Sequence, residues 1–126
     1  MRIIYFSNGY TSHDWNFLDK LSSSDNEVWF LRLKGRSSDT ETRELPLGVN
    51  EIKWIGLPNN YPSLDQMVQL KCSFEKILVK VRPDIIHAGP IQSCAFIAVL
   101  SGFHPIVAAS WGYDILTDAY LSRKMN

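Results

Sequence analysis

No stretch of this sequence approaches the ~20 consecutive apolar residues that a membrane-spanning helix requires. Its first residues carry one arginine and a short apolar run, well below the hydrophobic region of a secretory signal. Cysteine is scarce. Cys72 and Cys94 lack metal-ligand spacing, and both fall in apolar helical patterns. A disulfide framework is not expected on that ground; reduced, buried thiols in a cytoplasmic protein are. An excess of charge is missing too, because thirteen basic residues face thirteen acidic ones. Nucleic acid is therefore not an expected partner, nor is an anionic membrane. No G-x-G-x-x-G follows the first strand, the second ends in Arg32-Leu33-Lys34 rather than an acid, and no Walker loop occurs. A G-x-S-x-G nucleophile elbow, a zinc-ligand cluster, internal repeats and low-complexity tracts are also absent.

What is present is the material of a core. Of 126 residues, 45% are hydrophobic and 21% charged, which suits one globular domain without staples. Arg2 to Phe6 (RIIYF) reads as a buried-type strand. It enters Ser7-Asn8-Gly9-Tyr10-Thr11, a turn in which Gly9 offers positive φ. Thr11 and Asp14 resemble a capping box, and Trp15, Leu18 and Leu21 then supply one helical face. Ser22 to Asn26 breaks that helix, and Glu27 to Leu33 forms a second strand. Lys34 to Glu44 is polar and reads as an exposed loop. Glu51 to Ile55 is a weaker third strand, followed by a loop-like segment from Gly56 to Pro62. Ser63 and Gln66 cap a long helix with Met67, Leu70, Phe74, Ile77, Leu78 and Val81 at helical spacing; Leu70, Phe74, Ile77 and Leu78 are its expected buried set. Pro83 stops it.

The rest of the chain is organised around Pro83 to Leu116. Ile85 and Ile86 form a short strand ending in His87-Ala88-Gly89-Pro90. A mostly apolar helix follows from Ile91 to Ser101, closed by Gly102. A fifth strand, Ile106 to Ala109, ends in Ser110-Trp111-Gly112-Tyr113-Asp114. Strands joined by helical crossovers lie parallel. The alternation predicts an α/β, Rossmann-like, doubly wound parallel sheet of about five strands in the order 3-2-1-4-5, with helices on both faces.

In such sheets ligands sit beyond the carboxyl ends of the strands, at the switch between strands one and four. The candidate binding residues are therefore Asn8, Gly9, His13, His87, Gly89, Trp111, Gly112 and Asp114. Asn59-Asn60-Tyr61 would rim the same side, and His104, ahead of strand five, belongs at the opposite end. His87 has the pKa of a general base or of a donor to a substrate hydroxyl; the alternative is a partly buried histidine bonded to backbone. Gly89-Pro90 suits a plain turn with proline at the first helical position, or a helix N-terminus presenting N–H groups to a ligand. His13-Asp14 is either a binding pair or a cap and its neighbour. Trp111 offers a flat platform for a sugar ring, with Asp114 on its hydroxyls, or else a core plug and a turn aspartate.

The segments RIIYFSNGY, HDWNFLDKL, EVWFLRL, VRPDIIHAGPIQSCAFIA and PIVAASWGYDIL resemble the N-terminal half of family 4 glycosyltransferases. The most specific piece is DIIHAGP followed about twenty residues later by SWGYDIL. The resemblance implies a two-domain enzyme of the GT-B fold. Its N-terminal domain holds the acceptor, and its C-terminal domain holds a nucleotide-sugar donor. Transfer there retains anomeric configuration, with no metal ion and no resident cofactor. By the same resemblance, Asn8 and Gly9 match the loop near the donor phosphates and acceptor. His87 and Gly89 match the loop after strand four, and Trp111, Gly112 and Asp114 match that after strand five. Many relatives carry a histidine where this chain has Trp111.

The family's donor half carries two glutamates with seven residues between them, a spacing no glutamate pair here has. The expectation is a fragment comprising residues 1–126 of an acceptor-side domain, inactive alone. Its partners would be a sugar, glycan or lipid-linked acceptor and the absent donor domain, with the complete enzyme cytoplasmic or peripheral to a membrane. Strand five, Ile106 to Ser110, is an expected open edge inviting self-association. Two other readings remain: a stand-alone ligand-binding or regulatory domain without catalysis, and an unrelated Rossmann-like nucleotide-binding protein.

Overall fold

The computed structural model describes residues 1–36, 39–53 and 63–110. Five strands, β1 (Arg2–Ser7), β2 (Glu27–Arg32), β3 (Val49–Glu51), β4 (Ile85–Ala88) and β5 (Ile106–Ala108), form one all-parallel sheet in the order β3-β2-β1-β4-β5. The expected fold class and strand order hold. Side chains alternate across a strand, so β1 serves both layers. Tyr5 faces α1 (Ser12–Ser22), in a cluster with Tyr10, Leu18, Val28 and Phe30. Ile4 and Phe6 face the other way, toward α2 (Leu64–Val81) and α3 (Phe96–Leu100).

Both capping boxes form as the sequence indicates. The Thr11 and Ser63 hydroxyls accept from the backbones of Asp14 and Gln66, whose side chains accept from the cap N–H groups in return. α2 ends at Arg82, which takes a left-handed φ of 53° ahead of Pro83. The Arg2 N–H then donates to Asp84 Oδ2 at 2.7 Å, and the Asp84 N–H donates to the Arg2 carbonyl at 2.7 Å. These bonds lock the start of β4 beside β1.

Five expectations need correction. β3 starts at Val49, because the turn at Pro46–Val49, with Gly48 at φ 89°, delivers the chain to β2 two residues early. Trp54 and Ile55 lie outside the described residues. The helix after β4 is not uniform: a π turn, Ile91–Ala95, precedes α3, and Pro90 is its cap rather than its first residue. On α2, Leu70, Phe74 and Val81 are buried, while Ile77 and Leu78 flank the core half-buried. Cys72 is exposed, two residues and hence about 200° around the helix from both Leu70 and Phe74. Left-handed glycine conformations fall at Gly48 and Gly102 among the described residues, not at Gly9.

Candidate functional site

The loops after β1 and β4 meet at the carboxyl edge of the sheet. The Gly89 N–H donates to the Phe6 carbonyl at 3.1 Å, which joins the two strand ends directly. Asn8 and Gly9 are buried beside this junction. Asn8 Oδ1 accepts from the Ser93 hydroxyl at 2.9 Å and lies 3.6 Å from Cys94 Sγ. The π turn thus sets Ser93 and Cys94 against the Asn8 loop. Burial pushes the Cys94 thiol well up, so it stays protonated. The Asn8 carbonyl accepts from the Lys34 N–H at 2.8 Å, tying in the segment after β2 as well.

His87 lies inside β4 rather than in the loop after it, correcting the sequence reading. It pairs in register with Tyr5 and stacks on that ring at a centroid distance of 5.0 Å. Phe17 of α1 approaches it at 5.5 Å and also contacts His13, at 4.9 Å. Phe17 therefore stands between the two histidines. Burial lowers the His87 pKa, and neighbouring His13 pushes it the same way, so the imidazole is neutral near pH 7. Its Nδ1 is buried with no hydrogen-bonding partner among the described residues.

Asp14 is not a ligand group beside His13. It is fully buried and accepts from Tyr5 Oη and Ser7 Oγ at 2.8 Å each. Its other oxygen accepts from the Thr11 N–H at 2.9 Å and the Thr11 hydroxyl at 2.8 Å. A carboxylate with four such donors anchors the β1–α1 turn. Burial, then the Asp14 charge, raises the Tyr5 phenol far above its ordinary range, which keeps it a donor.

Of the sequence candidates, the structure gathers Asn8, Gly9 and Gly89 at one junction and places His13 and His87 on the α1 face beside it. His104 is exposed ahead of β5, at the opposite end of the sheet as expected. Trp111, Gly112 and Asp114 lie outside the described residues, as do Asn59, Asn60 and Tyr61. Sequence reasoning missed the ion-pair group beyond β2, where Arg32 bridges Asp39 and Glu51 and Arg36 reaches Glu51 at 2.8 Å. Its available signal was the basic run Arg32-Leu33-Lys34-Gly35-Arg36 at the end of a strand.

A parallel, doubly wound sheet with its two switch-point loops joined defines a Rossmann-like α/β domain, a class whose ligands sit beyond the strand carboxyl ends. Within that class the sequence narrows further. Residues 2–125 match the family model described as glycosyl transferase 4-like, and the chain belongs to that family. No curated protein and no solved structure matches it. No helix among the described residues is long and apolar enough to cross a membrane.

Proposed function

We propose that this chain is the acceptor-binding side of a retaining glycosyltransferase of the GT-B type. The enzyme moves a sugar from a nucleotide-sugar donor, its substrate rather than a resident cofactor, to an acceptor hydroxyl. The family match across residues 2–125 carries the reading, and the junction of the β1 and β4 loops supports where the acceptor sits. In transfer, the hydroxyl oxygen bonds to the anomeric carbon as the bond to the nucleoside diphosphate breaks, and the hydroxyl proton goes to the departing phosphate oxygen. Neutral His87 is suited to orient that hydroxyl by hydrogen bonding.

A second domain supplies the donor chemistry in this reading, because donor and acceptor must be held together and the departing diphosphate charge stabilised. The purified chain is therefore expected to bind sugar acceptors, with amide shifts at Gly9 and Gly89, and to transfer nothing from labelled nucleotide sugars. Adding a donor domain should produce transfer, reduced on the order of a hundredfold by His87→Ala. Turnover by the isolated chain, with contaminating enzyme excluded, would refute the division of labour. Failure of every sugar tested to shift Gly9 or Gly89 would refute the acceptor role.

A further inference from the structure

Beyond the carboxyl end of β2 lies a cavity of about 340 Å³. Four basic side chains, Arg32, Lys34, Arg36 and Lys53, line it against one acidic side chain, Glu51. The size falls in the range of small-molecule sites. Its walls are fixed by the sheet. The Lys34 N–H is bonded to the Asn8 carbonyl, and the Ile52 N–H to the Phe30 carbonyl, each at 2.8 Å. Arg32 is almost buried, held by Asp39 and Glu51 with its guanidinium 5.2 Å from the Phe30 ring centre. Glu51 thus holds two guanidinium groups, those of Arg32 and Arg36, at the cavity wall.

We infer that this cavity is a phosphoryl-binding subsite and that the acceptor carries a phosphate group. The inference rests on the acceptor-side reading above and names the acceptor's chemical class. Cations reach the space from two segments, Lys34 and Arg36 after β2 and Lys53 after β3. Several cations around one space favour phosphate over a carboxylate, because phosphate carries more charge and three strong acceptor oxygens. The cavity also shares the Asn8 loop through the Lys34 bond. β2 lies two strand spacings from β4 and β3 lies three, so a subsite lined from both is roughly 10–14 Å from the β4 loop. A phosphorylated acceptor lying along the strand ends would hold its phosphate beyond β2 and direct its reacting hydroxyl toward the β4 loop.

Amide NMR of the whole chain, with glucose, glucuronate and glucose 6-phosphate at matched ionic strength, tests this. Glucose 6-phosphate should shift the Gly35, Arg36 and Lys53 amides, and neither other sugar should do so comparably. Lys53→Glu should weaken its binding at least tenfold without changing the rest of the spectrum. Vesicles of phosphatidylglycerol in phosphatidylcholine identify the source: selective broadening of the same amides assigns the phosphate to a lipid headgroup, and none assigns it to a soluble sugar phosphate. Equal shifts from glucuronate, or unchanged affinity in Lys53→Glu, would overturn the phosphoryl subsite. Sugar shifts at Gly9 and Gly89 with none at Gly35 would remove the subsite and leave the acceptor reading standing. Phosphate shifts at Gly35 with no sugar shift at Gly9 or Gly89 would refute the acceptor reading and, with it, the claim that an acceptor brings the phosphate, leaving a bare phosphate site.

Discussion

His87 shows how a single side chain is tuned by its place in the sheet. Between Tyr5 and Phe17 the charged imidazolium loses hydration, so the folded protein disfavours protonation. The unfolded chain then binds more protons over the interval from the ordinary histidine value down to the folded one. Stability should be fully present above a pH of about 6.5 and decline as pH falls through the lowered folded value. Denaturant unfolding at intervals from pH 7.5 to 5 should show this decline in the native chain and a flatter profile in His87→Gln. Parallel profiles would mean that water reaches the ring in solution. The sequence identified His87 as a candidate from its place at a strand end. It could not show which face the ring takes, since that depends on register with Tyr5 and on α1 packing above it. The same holds for Asp14, legible as a helix cap but not as an acceptor from both Tyr5 and Ser7.

At the scale of elements, local signals decided most of the outcome. Two capping boxes, one proline stop and apolar spacing located α1 and α2 to within a residue. They did less well on β3 and on the helix after β4. β3 is three residues long and exists because β2 offers an edge opposite Val28, a tertiary cause no local pattern carries. The π turn at Ile91–Ala95 follows from the Ala95 N–H reaching back to the Pro90 carbonyl at 3.2 Å, again invisible in composition. The α2 face gives a graded test. Phe74 is fully buried and stacks on Phe6 with ring centres 5.2 Å apart. Phe74→Ala should cost about 3–5 kcal/mol in chemical denaturation. Ile77→Ala and Leu78→Ala, at half-buried positions, should each cost less. Equal losses at all three would mean that the sequence-expected face, rather than the observed one, is the buried one.

For the whole molecule, the strand order follows from chain connectivity. Right-handed crossovers send β2 and β3 to one side of β1 and β4 and β5 to the other, with the α1 layer and the α2–α3 layer on opposite faces. The same topology leaves β5 at the sheet margin among the described residues. The Ala109 N–H donates to the Ala88 carbonyl at 2.8 Å, so by the alternation of a strand the Ala108 N–H points away from β4. Val107, in register with His87, is 47% exposed. Outward-facing backbone groups beside an exposed β-branched residue are a template for pairing with another strand. The chain should therefore self-associate as concentration rises. Sedimentation equilibrium should give a mean mass climbing above the 14.4 kDa of one chain. Val107→Lys places a charge on the margin and should lower that association while leaving circular dichroism unchanged. A mass that stays at one chain across the concentration series would show that the outer side of β5 is covered in solution. An unchanged association in Val107→Lys would move the contact to another surface.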